Sequence, residues 1–287
     1  MMSLVVPSKT GDVLGDAAFV KNLGLRLYCL LPEEPGDNKR ALYQSLAALN
    51  YQGELERLVE RHEKMVAACV RAGIAQYAIN MQTTSRLTCG MSQPTLLENG
   101  LTLLRPYGVP ILPASSVKGT LASWLAEMLA DRFNLDTKTE EQTLREAGLL
   151  WLFGSSTEGY GKSGEGEPGA VVFFDVLPTR LSLEVDITTV HHQSWYQDGK
   201  PPSGFENPTP IPFLTVGKGT QFRFHFLAPA AWQKQAISED VRGRLTKWGI
   251  TDLSSPGTLL RQLVVSTGLH KGFGSQTAKG YGRMKEC

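Results

Sequence analysis

The sequence predicts an α+β domain whose helices sit on one face of an antiparallel sheet. Two runs of predicted elements lead there. The middle of the chain reads strand, helix, helix, strand, and the last third reads strand, strand, helix, helix, loop, strand. Segregated mixtures of this kind pack as layers, and a ferredoxin-like (RRM-like) core with helical and loop insertions fits the order. With 287 residues the chain is long enough to bury a real core.

The elements follow in order. Residues 1–36 read as irregular, punctuated by Pro7, Pro32 and Pro35. Residues 37–72 read as helical and charged: Leu55, Leu58, Val59, His62, Met65 and Val66 recur at helical spacing, and Gly73 supplies a stop. A coil-to-strand stretch covers roughly 74–104. The strongest helix follows, with Ser115 or Ser116 as its cap and an apolar stripe from Val117 to Phe133. A second helix is expected over 139–152, ending at Gly154.

Glycines at 154, 159, 161, 164, 166 and 169 predict an exposed, mobile loop. Strands are expected at 170–176, 182–190, 211–216 and 220–227, with Gly217-Lys218-Gly219 turning between the last two. Residues 191–210, rich in proline, form a long excursion. Helices near 238–248 and 257–267, a glycine-rich loop over 268–280 and a strand at 281–285 complete the chain.

Composition is that of an ordinary globular protein, 41% hydrophobic and 20% charged. The net charge of +1 gives no bulk attraction to nucleic acid, so a polyanion would have to meet local patches. Cys29, Cys69, Cys89 and Cys287 form no CxxC pair, which leaves neither a zinc nor a redox signature and suits free thiols in a reducing compartment. The opening MMSLVVPSKTGD has no basic flank before a long apolar run, and no uncharged stretch is long enough to span a bilayer. A cytoplasmic protein without a membrane partner is expected.

Several chemistries lack their residues. Gly161-Lys162-Ser163 imitates a phosphate-binding loop, but Ser156 stands where the first glycine is needed. Gly159, Gly161 and Gly164 spell G-x-G-x-x-G after a helix rather than a strand, which is the wrong context for a dinucleotide. His191 and His192 are adjacent, so on a strand they face opposite ways and cannot easily share a metal. No metal site and no cofactor are expected. His192 has the chemistry of a general base, but the sequence sets no cation beside it to stabilise a phosphate.

Two segments do carry positive signals. In Tyr107–Gly119, two prolines stiffen the entry to a helix opened by Ser115 and Ser116. Free amides, the helix dipole and Lys118 in the first turn suit a phosphate there. In Gly268–Arg283, five glycines in sixteen residues let the backbone turn tightly and approach a ligand. Successive amides in such a loop form an anion-binding nest, Lys271, Lys279 and Arg283 add charge, and Phe273 and Tyr281 offer rings for stacking. Glycine, cations and aromatics together point to single-stranded RNA.

These two motifs resemble those of the RAMP superfamily of CRISPR effector proteins, whose mark is a C-terminal glycine-rich loop after the last helix of a ferredoxin-like fold. The loop here is Gly272–Arg283, and the proline-serine-lysine-glycine helix start is matched by Pro113–Gly119, with Ala114 where the family usually has glycine. Ser85-Arg86-Leu87 with Gly90, Leu97–Gly100, Leu152–Gly154, Gly169–Asp175, Asp186 through His191-His192 to Trp195-Tyr196, and Pro210–Leu214 resemble, in order, the sixth RAMP subunit of type III-B (Cmr) complexes. The likeness spans about 83–285; residues 1–80 read as a variable N-terminal part with helices, 81–287 as the core, and 1–287 as one RAMP domain.

The resemblance implies a non-catalytic subunit that binds guide RNA toward its 3′ end, meets target RNA, and touches the backbone RAMP subunit, the small helical subunit and the first RAMP subunit. The expected RNA-binding residues are Arg86, Ser115, Ser116, Lys118, His191, His192, Lys271, Phe273, Gly274, Ser275, Gln276, Thr277, Lys279, Tyr281 and Arg283. The excursion at 191–210 is expected to form a thumb that kinks the guide–target duplex. Two alternatives stay open: a metal-independent guide-processing endoribonuclease using His191 or His192, and a protein-only scaffold of another type III complex.

Overall fold

The computed structural model describes residues 20, 22–28, 39–71, 73–92, 99–130, 139–155, 166–191, 195, 199, 201, 207–232 and 237–287. The N-terminal helices are α1 (Leu23–Tyr28), α2 (Lys39–Ala47) and α3 (Gln52–Ala68). Next come β1 (Ile74–Thr83), β2 (Leu103–Leu104), β3 (Val109–Pro110), α4 (Ala114–Leu129), α5 (Glu140–Glu146) and α6 (Leu150–Phe153). The second half holds β4 (Val172–Phe173), β5 (Leu177–Arg180), β6 (Leu183–Val190), β7 (Thr209–Val216) and β8 (Gln221–Pro229). It closes with α7 (Glu239–Thr246), α8 (Pro256–His270), a 3₁₀ turn (Thr277–Lys279) and β9 (Met284–Glu286).

The α+β class expected from the sequence is what the chain forms. The main sheet is antiparallel with the order β4-β8-β1-β9, and β5 also pairs with β8. The long ladder between β1 and β8 runs from Ile74 opposite Pro229 to Gln82 opposite Gln221. Phe222, Phe224 and Phe226 are buried on one face of β8, each worth about 1.5–3 kcal/mol of transfer from water. That face meets α4 and α8: the Tyr77 ring stacks on Phe226 at 5.6 Å, and Tyr77 lies directly under Gly257 of α8. The Trp124 indole N–H of α4 donates to Ser266 Oγ of α8 at 3.1 Å, joining the two helices. The alternate residues Arg223 and His225 turn to the other face, where α3 supplies Glu63 and His62.

A separate hairpin, β6–β7, pairs all eight residues of each strand and joins the segment after β1 through Leu87 and Val216. The buried apolar cluster runs from Leu23 to Met284.

Several element boundaries differ from expectation for local reasons. Within the stretch read as irregular, α1 forms because Leu23 and Leu27 are buried and Asn22 anchors it, accepting from Leu25 N and donating to Pro106 O. Gly148, at φ +70°, divides the expected helix 139–152 in two. In contrast, α8 continues through Gly268, where a β-carbon would stand 2.8 Å from the Met81 methyl. The glycine-rich positions 156–165, and Phe133 at the expected end of the strongest helix, lie outside the described residues. So does most of the 191–210 excursion.

Candidate nucleic-acid interface

The C-terminal loop is built by glycines that let the backbone press against itself. Gly272, Gly274, Gly280 and Gly282 all have φ between +73° and +90°. At Gly282 a β-carbon would lie 1.9 Å from the Phe273 carbonyl oxygen, and Phe273 N donates to Gly282 O at 2.9 Å. The two arms of the loop therefore touch backbone to backbone. The loop is also stitched to the segment leaving β1: Ser275 N donates to Thr88 O (2.7 Å), Gly282 N to Arg86 O (2.8 Å) and Arg283 N to Ser85 Oγ (2.9 Å).

Phe273 requires a correction. It is 1% exposed and packs on Phe224 with ring centroids 5.0 Å apart, so it is a core anchor and is not available to stack on a base. An aromatic between two glycines gains far more from the core below than from solvent above.

The amides divide in two. Those of Phe273, Ser275, Lys279, Gly280, Gly282 and Arg283 donate within the chain. Those of Gly274, Tyr281 and the consecutive Gln276, Thr277 and Ala278 meet no acceptor among the described residues. Gln276 adopts the left-handed region at φ 57°, held by its side-chain amide on Met91 Sδ, and the 3₁₀ turn starts after it. Three consecutive free N–H groups thus sit on a partly exposed turn with Lys279 exposed beside them.

The other cations of the motif are engaged. Lys271 Nζ reaches Glu127 and Ser123 of α4, and Arg283 donates to Leu269 O at 3.2 Å. Arg86 lies between Glu184 (2.8 Å) and Asp186 (3.1 Å), and Tyr281 donates its hydroxyl to Asp186 at 2.5 Å. The hydrogen bond to Glu184 holds the Arg86 guanidinium firmly charged. Burial, then the bond to Asp186, pushes the Tyr281 phenol up to about 12. Two carboxylates against one guanidinium leave this cluster net negative. Arg86 is therefore a tie between the hairpin and the loop, rather than the free cation expected. Glu184 and Asp186, two apart and so on one face of β6, are the signal that sequence reading passed over.

The helix-start motif also needs correction. Helix α4 opens at Ala114, with Pro113 at the cap position and no side-chain cap from either serine. Instead Asp175 Oδ1 accepts from Ala114 N at 2.8 Å. Serine capping fails because the chain enters the helix two residues before Ser115, leaving Ser115 exposed and Ser116 half-buried inside the first turn. The amides of Ser115 and Ser116 have no acceptor among the described residues, but the carboxylate offsets the dipole that would draw an anion. Lys118, half-buried, makes no ion pair among the described residues.

His191 is exposed at the end of β6, and His192 lies outside the described residues. Among the described residues no group of three His, Cys, Asp or Glu is placed to hold a metal ion. No described helix is long and apolar enough to cross a membrane.

Comparison with known proteins agrees with this picture. The family model described as the RAMP superfamily matches residues 80–285. The CRISPR system Cmr subunit Cmr6 of Pyrococcus furiosus is 27% identical over 250 residues, covering 71% of this chain and 66% of that protein, just under two thirds of its length. A chain of the type III-B Cmr-beta complex bound to cognate target RNA, solved by cryo-electron microscopy, superposes with a TM-score of 0.53 at 17% identity. That superposition covers 98% of this chain and 86% of the other, and it shows a shared fold.

Proposed function

The chain belongs to the RAMP superfamily, and from that premise we propose that it is a non-catalytic RNA-binding subunit of a type III-B CRISPR (Cmr) effector complex. It binds guide RNA toward the 3′ end, lies near target RNA, and contacts the backbone RAMP subunit, the small helical subunit and the first RAMP subunit. Its place is the cytoplasm. Similarity to the Pyrococcus Cmr6 subunit supports this assembly over other type III scaffolds.

The strand order β4-β8-β1-β9, with α4 between β1 and β4 and α8 between β8 and β9, supports a ferredoxin-like core. The continuous buried cluster supports one domain over 1–287.

The observation that carries the RNA reading is the run of free amides at Gln276, Thr277 and Ala278 beside exposed Lys279. Oriented N–H groups and one cation on a turn fixed from below form a phosphate site that costs little reorganisation. Lys118 contributes a second phosphate contact. Arg86 and Tyr281 act by holding the β6–β7 hairpin, read as the base of the thumb, against the loop.

Filter binding of guide RNA across a salt series tests this. Each phosphate contact on a single strand contributes about 0.7 to the slope of log K against log salt. Lys279→Ala and Lys118→Ala should each weaken binding and flatten the slope by about that amount. Slopes equal to wild type in both variants would remove the proposed contacts.

A further inference from the structure

Between α3, the β2–β3 turn and the start of α4 lies an open cleft of about 670 Å³. Its walls are largely apolar, with Leu58, Met65, Leu104, Phe173 and Leu177 among them, and its polar groups are Arg61, His62, Tyr107 and Asp175. The volume lies within the roughly 300–1,000 Å³ of small-molecule sites, which also combine apolar walls with a few placed polar groups.

The polar groups define what fits. Asp175 commits one oxygen, Oδ1, to the amide of Ala114, and Oδ2 accepts nothing from the described residues. His62 meets Phe174 edge-on at 5.9 Å and His225 at 5.4 Å, yet neither ring nitrogen has a hydrogen-bond partner among the described residues. Burial holds its pKa below the ordinary imidazole range, against the pull of Asp175 and Glu63. At neutral pH the ring is uncharged and offers one donor and one acceptor. Arg61 donates to the Tyr107 hydroxyl at 2.9 Å.

A phosphate is the wrong guest for the interior. It would meet the Asp175 carboxylate and an uncharged imidazole. A purely apolar side chain is also a poor guest, because it would strand Oδ2 and both imidazole nitrogens away from water. A flat heteroaromatic ring with an amino group answers Oδ2 and the imidazole nitrogen that faces the cleft.

We propose that the cleft receives one unstacked nucleobase bearing an exocyclic amino group, with Asp175 Oδ2 accepting from that group and His62 pairing with the adjacent ring edge. Single-stranded RNA is commonly read this way, with splayed bases held between aromatic surfaces and hydrogen-bonded on their edges, and carboxylates accept from base amino groups. Arg61 then meets the attached phosphate outside the cleft. Adenine, guanine and cytosine qualify; uracil presents a carbonyl where Asp175 needs a donor. The inference rests on the RNA-binding reading and gives it a base preference.

The test uses the purified full chain and four separate probes, AMP, GMP, CMP and UMP, by isothermal titration calorimetry. At least one of the three amino-bearing nucleotides should bind saturably, at least tenfold more tightly than UMP. Asp175→Asn keeps an oxygen for Ala114 N and should reduce that preference to threefold or less. His62→Phe keeps a ring and should weaken binding about tenfold, so the proposal stays testable if either variant fails to fold. Equal affinity for UMP, or no saturable binding of any probe to wild type, overturns it. If the nucleotides fail to bind while Lys279→Ala still flattens the guide-RNA salt slope, only the cleft reading falls.

Discussion

Gly282→Ala is expected to be among the most damaging single substitutions in the C-terminal loop. Two separate costs add there. The backbone at φ +73° is one that an alanine adopts only with strain of about 1–2 kcal/mol. The new β-carbon would also stand 1.9 Å from Phe273 O and 2.9 Å from Phe273 N. The obstacle is backbone, and it cannot step aside alone, because the Phe273 ring is fixed in the core against Phe224. Relief requires withdrawing the ring, and losing such a phenyl group typically costs about 3–5 kcal/mol.

Gly280→Ala is the matched control. Its φ of +90° carries the same kind of strain, but nothing lies within 4 Å of the added carbon. Urea unfolding should show Gly282→Ala destabilised by about 4–7 kcal/mol and Gly280→Ala by only about 1–2. Guide-RNA binding should fall sharply in the first variant, since freeing Phe273 releases the frame that holds the 276–278 amides. Equal midpoints for the two variants would refute the backbone-contact account.

The contrast between these two glycines shows how far sequence reading reaches. Five glycines in sixteen residues announced tight turning, and Gly272, Gly274, Gly280 and Gly282 do take positive φ. Composition cannot say which of them faces backbone and which faces solvent, because that depends on the segment 84–88, nearly two hundred residues earlier in the chain.

The same limit explains Phe273 and Arg86. Each was read with its chain neighbours, whereas its real partners, Phe224 for one and Glu184 with Asp186 for the other, are brought in by the sheet and the hairpin. A strand with a clear pattern, such as β8, was legible to within two residues at either end because alternation is a local property. Helix α1 was not: six residues carry too little periodicity, and its stability comes from Asn22 on the β2–β3 turn and Tyr28 on Leu101. Asp175 escaped because it lies 61 residues from Ala114 in the chain, and only the fold brings it to the helix start.

Acidification should loosen α3 from the sheet before carboxylates titrate in bulk, and His225 is the reason. It is 3% exposed on the β8 face that α3 covers, and its Nδ1 has no hydrogen-bond partner among the described residues. Burial above all, then neighbouring His62 and Arg223, push its pKa down to about 4. An unfolded histidine titrates near 6.5, so below that pH the unfolded chain binds a proton that the folded chain refuses until about pH 4. The stability tied to this residue is therefore complete above about pH 6.5, falls steadily as pH drops toward 4, and levels off below. Between pH 7.5 and 5 the loss amounts to about 2 kcal/mol. Glu63, ion-paired with Arg223 at 2.9 Å, and Asp175 stand in the same region of the fold, but both are present in either variant. Urea midpoints of wild type and His225→Gln at the two pH values isolate the histidine: the gap between pH 7.5 and 5 should shrink by about 2 kcal/mol in the variant. An unchanged gap would mean that His225 accepts a proton in the folded chain as readily as in the unfolded one, and that the packing of α3 on β8 is indifferent to acid.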